Sequence, residues 1–171
     1  KIKPDIILNA AGLTDINTCE NNKIIATKIN FSLVKNLVIV ANKLDLNFLQ
    51  ISTDHIFDGF KKKYYKESDK ANPLNHYAKT KLDADKYIVK NCKKYLIIRT
   101  NFFGWGTSYR NSLSDYIIKN LSLNKKIFLN DDIYFNPVYL GNLIECINKL
   151  IIQNKFGIYN ITSNKQISKF S

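Results

Sequence analysis

The sequence predicts an α/β domain built on a parallel sheet with helices on both faces. Three observations carry the prediction. The runs DIILNAA (5–11), NFLQIST (47–53) and YLIIRT (95–100) are apolar without alternation, the pattern of strands buried on both faces. The segments between them place apolar residues at three-and-four spacing, the period of an amphipathic helix. Small or polar clusters, NAAGLTD, STDHIFDG and RTNFFGWG, close the three runs, and parallel α/β sheets hold ligands at the carboxyl ends of their strands.

In chain order, the first run should form a strand ending in small residues, and 21–44 a single long helix. After the second strand, a loop rich in Asp, Gly and Lys leads to a helix over 77–91, then to the strand at 95–100. A less regular half follows. It should hold a helix at 112–122, strand-like pieces at 126–131 and 134–139, a helix at 140–153, a strand at 157–162, and a helix just starting at ISKFS.

Composition narrows the function. The 171 residues, 45% hydrophobic, suffice for one domain with a core. The net charge of +12 would suit nucleic acid, but the lysines are scattered among Asn and Ile. The densest cluster, FKKKYYK (60–66), reads as a solvated loop rather than a base-stacking surface. No apolar run reaches the roughly 18–20 residues of a membrane-spanning helix, and no signal-peptide pattern opens the chain. Neither nucleic acid nor a membrane is an expected partner. Cys19, Cys92 and Cys146 are odd in number and lack metal-ligand spacing. They read as reduced thiols of a cytoplasmic protein with no metal site.

The candidate chemistry begins at YAKTK (77–81). On a helix, Tyr77 and Lys81 share a face. A phenol with an ordinary pKa of about 10 is a poor base at neutral pH. A nearby ammonium would lower that value, so the pair could exchange a proton with a carbonyl oxygen or an alcohol. Alone the spacing is weak, since the chain holds ten tyrosines. Thr53 strengthens it: a hydroxyl at the end of a buried strand can bond the same carbonyl oxygen. Strand alternation lets only one of Ser52 and Thr53 face a cleft, and Asp54 could cap a turn or bind a sugar hydroxyl.

NAAG, STDHIFDG, NPLNHYAKTKLDADKYI and LIIRTNFFGWG, in this order and spacing, resemble an extended short-chain dehydrogenase/reductase of the dTDP-4-dehydrorhamnose reductase-like group. The likeness runs from about Pro4 to the last residue, through the tail GIYNITSNKQISKF. It implies a Rossmann-like doubly wound sheet and NADP- or NAD-dependent reduction of a nucleotide-activated sugar for cell-surface polysaccharide, with NADPH favoured. Tyr77 would be the general acid, Lys81 its electrostatic partner and a ribose ligand, and Thr53 the hydroxyl on the carbonyl. Asn9, Ala10, Ala11 and Gly12 would form the loop past the fold's fourth strand, along the cofactor, with Ser52 and Thr100 beside it. Asp54, Asn101, Phe102, Asn136, Pro137 and Val138 would face the sugar nucleotide. The resemblance leaves room for a homodimer.

Two departures matter. Where the rhamnose reductases carry Trp in an RTSW segment, this chain has Phe102, with Trp105 three residues later, as in neighbouring reductase-like sugar-nucleotide proteins. No G-x-x-G-x-x-G phosphate-binding turn occurs, and both ends read as cut. The sequence is therefore expected to be a piece lacking the first βαβ unit. Residues 1–105 would be the remainder of the dinucleotide-binding domain. Residues 106–171 would be mostly substrate-binding, with one strand or helix returning to the main sheet. The isolated chain should be marginal and inactive, its open sheet edge prone to association. Two alternatives stay open: a non-catalytic dinucleotide-binding regulatory subunit, and a sugar-nucleotide epimerase. A dehydratase ranks low, because Thr53 is followed by Asp54 and His55 rather than an Asp-Glu pair.

Overall fold

A computed structural model describes residues 3–61, 63–107 and 111–168; Lys62 of the basic run and the last three residues of ISKFS lie outside them. The chain forms two compact units. The first holds the residues up to Arg99 with Asn154–Asn160, the second Thr100–Gln153 with the residues from Ile161 on.

The first unit is organised by a four-stranded sheet in the order β1-β2-β3-β7, with β1 Ile6–Asn9, β2 Asn47–Thr53, β3 Tyr95–Thr100 and β7 Gly157–Ile161. β1 and β2 run parallel, with Ile6 opposite Asn47 and Asn9 opposite Gln50. In the two central strands consecutive side chains are buried, Phe48 with Leu49 and Ile97 with Ile98. Both faces of the sheet are covered, which is why these runs show no alternation. One core cluster joins Phe48 and Ile97 to Val34, Val38 and Ala41 of α3 (Leu33–Lys43), and to Ala84 and Ile88 of α4 (His76–Asn91).

The long helix expected at 21–44 differs in two ways. A separate short helix, α1 (Ile16–Asn21), precedes it, capped by the Asp15 carboxylate on Thr18 N at 2.7 Å. The helix proper runs through α2 (Lys23–Thr27), a π-helical turn (Lys28–Ser32) and α3. The π turn buries Asn30, a polar residue inside an apolar stripe. By length and composition the Lys23–Lys43 stretch could cross a membrane. One face of it, Ala26, Val34, Val38 and Ala41, is buried among the protein's own side chains, while Ile24, Ile25, Ile39 and Val40 are exposed.

α4 starts on a defined cap. Asn75 is extended, and its side chain accepts from Ala78 N at 2.8 Å, satisfying one of the helix's unpaired N–H groups. Asn75→Ala is expected to cost about 1 kcal/mol, read as a shift of the urea midpoint with an unchanged slope.

In the second unit, β4 (Phe102–Phe103) pairs in parallel with β6 (Val138–Tyr139), and β5 (Tyr134–Phe135) pairs antiparallel with β8 (Ile167–Ser168). α5 (Leu113–Ser122) begins on a capping box of Ser112 and Asp115. α6 (Leu140–Ile152) buries Leu143 and Ile147. The strand expected at 126–131 is absent: Phe128 is 91% exposed, so its apolar residues have no surface to pack on. At ISKFS the described residues, Ile167 and Ser168, are a strand rather than a helix start.

Candidate active site

β2 ends in Thr53, and α4 passes it one turn after its capped start, bringing Tyr77 and Lys81 to the strand end. All three are at least nine-tenths buried. Thr53 Oγ1 accepts from His55 N at 3.2 Å and stands 3.4 Å from Asp54 Oδ1, too far to hold its proton firmly. The hydroxyl lies close enough to the Tyr77 phenol to oppose the rise in its pKa.

Tyr77 departs from expectation. Its pKa is raised: burial is the largest cause, and Asp54, Cys19 and Asp85 add to it against the Thr53 hydrogen bond. The shift favours the protonated phenol. The Lys81 ammonium, expected to pull the value down, instead donates to the Ile51 carbonyl at 2.7 Å. Burial lowers the Lys81 pKa to about 8, with Asp85 opposing.

The loop after β1 is tied to the same place. Asn9 Nδ2 donates to Gln50 Oε1 at 2.8 Å, and Gln50 Nε2 donates to the Ile51 carbonyl at 2.8 Å, the oxygen that also holds Lys81. Asn9 Oδ1 accepts from Ala11 N at 3.2 Å, fixing the turn through Ala10 and Ala11. Asn30 reaches from the π turn to accept from Leu13 N at 2.8 Å. It donates to Leu13 O at 3.0 Å and to Thr80 Oγ1 at 3.1 Å. Thr80 Oγ1 in turn donates to Tyr77 O at 2.7 Å. A Cβ at Gly12 would sit 3.3 Å from Asn30 Oδ1, so a small residue there makes room for Asn30.

Ser52, expected beside the cofactor, turns the other way. It faces Asp85, whose pKa is raised by burial, with Arg99 and then Ser52 opposing the rise, although neither Ser52 Oγ nor Asp85 Oδ1 has a fully formed hydrogen bond. Alternation along β2 puts Ser52 and Thr53 on opposite sides, so only Thr53 joins Tyr77. Thr100 belongs to the second unit, its Oγ1 buried without a partner among the described residues. In that unit the β4–β6 pairing groups the other expected residues: Asn101 O accepts from Val138 N at 2.9 Å, and Phe102 lies opposite Val138. Asn136 and Pro137 immediately precede that pair, Asn136 Nδ2 facing Ser163 O at 3.4 Å. Asp54 stays partly exposed beside His55, whose ring meets Tyr77 edge-on at 5.9 Å.

The donor set fits the nicotinamide-ribose end of a dinucleotide. Lys81 has N–H groups beyond the one on Ile51 O, Tyr77 is a protonated hydroxyl, and Ala10 and Ala11 are exposed in a loop held rigid by Asn9. Gln50, Asn30, Asp85 and Arg99 were not foreseen. Asp85 and Arg99 left a trace in the sequence: one is a carboxylate a turn after Lys81, the other a charge inside an apolar strand.

Known proteins resemble this chain in sequence and fold. A dTDP-4-dehydrorhamnose reductase of Aggregatibacter actinomycetemcomitans is 32% identical over 97% of this chain and 58% of its own length. One from Escherichia coli K12 is 34% identical over 85% of this chain and 48% of its own. Among solved structures, a dTDP-4-dehydrorhamnose reductase of Clostridium acetobutylicum matches with a TM-score of 0.88 at 30% identity, over 96% of this chain and 58% of that one. One from Bacillus anthracis in complex with NADP matches with a TM-score of 0.90 at 27% identity, over 98% and 59%. The chain thus spans about half to three-fifths of the length of these relatives. Matched along residues 1–171, it belongs to the RmlD substrate binding domain family.

Proposed function

We propose that the protein to which this chain contributes reduces the C4 keto group of a nucleotide-activated 6-deoxy sugar with NADPH, in polysaccharide sugar biosynthesis. dTDP-4-dehydrorhamnose is the first substrate to test. The observation that carries the reading is the convergence of a protonated Tyr77, the Thr53 hydroxyl and the Lys81 ammonium at the end of β2. The reductases named above, and the NADP bound to one of them, support it. NADPH, when bound, supplies the hydride. Thr53 and Tyr77 then hold the substrate oxygen between two hydroxyls, and Tyr77 gives its proton to that oxygen as it becomes an alcohol. A phenol kept protonated by burial suits reduction rather than alcohol oxidation. Lys81 offers its remaining N–H groups to the ribose and its charge to the phenolate left behind. The cytoplasm is the compartment we assign, consistent with free Cys19, Cys92 and Cys146.

The test is loss of reduced-nicotinamide absorbance with a panel of nucleotide 4-keto-6-deoxy sugars, using the longest polypeptide the gene encodes. Turnover of one sugar supports the proposal. Tight NADPH binding without turnover of any of them refutes it.

A pH dependence follows. Lys81 acts as a cation and its pKa is lowered to about 8. Activity should hold below that value and fall as pH rises through it. Tyr77, shifted upward, contributes no loss in that range. Stability moves the other way. Burying the charged lysine costs free energy below about pH 8, and that cost fades as pH climbs from 8 toward the ordinary lysine value of 10.5. Rate and urea-midpoint profiles over this range check both signs.

A further inference from the structure

Behind Lys81 lies a buried ion pair that the proposed chemistry does not use. Asp85 sits four residues after Lys81 on α4, on the same face, and is 1% exposed. Arg99 Nε donates to its Oδ2 at 3.1 Å. Arg99 is itself fixed, by a bond from a guanidinium nitrogen to Glu67 O at 3.2 Å and by the Phe57 ring 5.8 Å beneath it. We propose that Asp85 is the positioning residue of Lys81: its carboxylate, locked by Arg99, keeps the lysine ammonium charged and seated on the Ile51 carbonyl. The inference rests on the proposed role of Lys81 and adds the residue that sustains it.

Charge counting explains the arrangement. Burial pushes the Asp85 carboxyl upward, and Arg99, Ser52 and Lys81 work against that; ionised, it leaves Lys81, Asp85 and Arg99 with one net positive charge in a buried site. Removing the carboxylate would leave two cations and no anion. A guanidinium does not deprotonate in a protein, so the lysine would be the group to yield. Among the described residues, the other titratable or charged groups around the pair are Tyr77 on α4, Asp54 and His55 after β2, Cys19 on α1, and Glu67, whose backbone carbonyl holds Arg99. The buried residues of α2, the π turn and α3 carry no charge. Asp85 is therefore the one anion placed deep beside Lys81. A purely structural ion pair would stitch α4 to β3 without affecting the lysine.

The experiment follows the Lys81 side chain directly by NMR in protein carrying 13C at lysine Cε, with Lys81→Gln to assign its signal. The midpoint near pH 8 should fall by at least about one pH unit in Asp85→Asn, and Asp85→Glu should restore it. In the full-length enzyme the alkaline limb of kcat should shift in step. A folded Asp85→Asn protein with an unmoved Lys81 midpoint overturns the inference. If Asp85→Asn does not fold, Asp85→Ser, smaller and equally neutral, serves instead, and an unmoved midpoint there overturns it. The readout needs no turnover. An enzyme inactive on every sugar whose Lys81 still answers to Asp85 would sink the proposed function and leave this inference standing.

Discussion

Tyr77→Phe is expected to lower kcat by about 10²- to 10⁴-fold, the usual contribution of a positioned general acid, while NADPH binding changes little. The substitution removes one hydroxyl from a buried ring. The ring packs with Cys19, Ala26 and Leu13 and meets His55 edge-on, contacts that phenylalanine keeps. The lost group is the proposed proton donor, and no neighbour replaces it: Thr53 has an ordinary alcohol hydroxyl, and the Lys81 ammonium is turned toward the Ile51 carbonyl. Because the phenol is protonated across neutral pH, the deficit should be the same throughout that range. A kcat that falls less than about tenfold, with KM unchanged, would move the proton donor elsewhere.

The parts of this site legible in the sequence are those set by local geometry. Tyr77 and Lys81 share a face because of helix periodicity, and Thr53 ends an apolar run that had to be a buried strand. The cap on α4 was within reach too, since Asn75 precedes the helix. What stayed hidden depends on partners far along the chain. Asn30 reads as a stray polar residue in an amphipathic helix until Leu13, 17 residues before it, and Thr80, 50 after, fold beside it. Gln50 is equally opaque, because Asn9, its partner, is 41 residues away. The downward pull expected on Tyr77 fails for the same reason: burial depends on everything packed around the ring, and it is the largest influence on the phenol. In the second unit the strand expected at 126–131 shows the opposite failure. Apolar residues there satisfy the pattern, but a strand needs a neighbour, and Phe128 has none to lie on.

Asn30→Leu should destabilise the chain by about 2–4 kcal/mol, since each buried group left without its hydrogen bond costs roughly 1–3 kcal/mol. Leucine is close in volume, so little of the loss is packing. The amide joins two parts of the site, alongside the packing of Leu13 against Tyr77 and the Cys19 Sγ bond to Leu13 O. On one side it holds both backbone groups of Leu13, just after the loop through Ala10 and Ala11. On the other it holds Thr80, whose hydroxyl bonds the carbonyl of Tyr77. The π turn is what carries Asn30 there. An extra residue in one helical turn rotates the side chain out of the apolar stripe, and such turns persist where the rotation serves a contact. The midpoint of thermal unfolding should drop by roughly 2–4 °C per kcal/mol for a domain of this size. Asn30→Asp should cost more than Asn30→Leu, because it keeps the acceptor for Leu13 N, loses both donated bonds and buries a charge. If Asn30→Leu melts where the parent does, the loop and α4 are held by something other than this amide, and the π turn has no structural purpose that we can name.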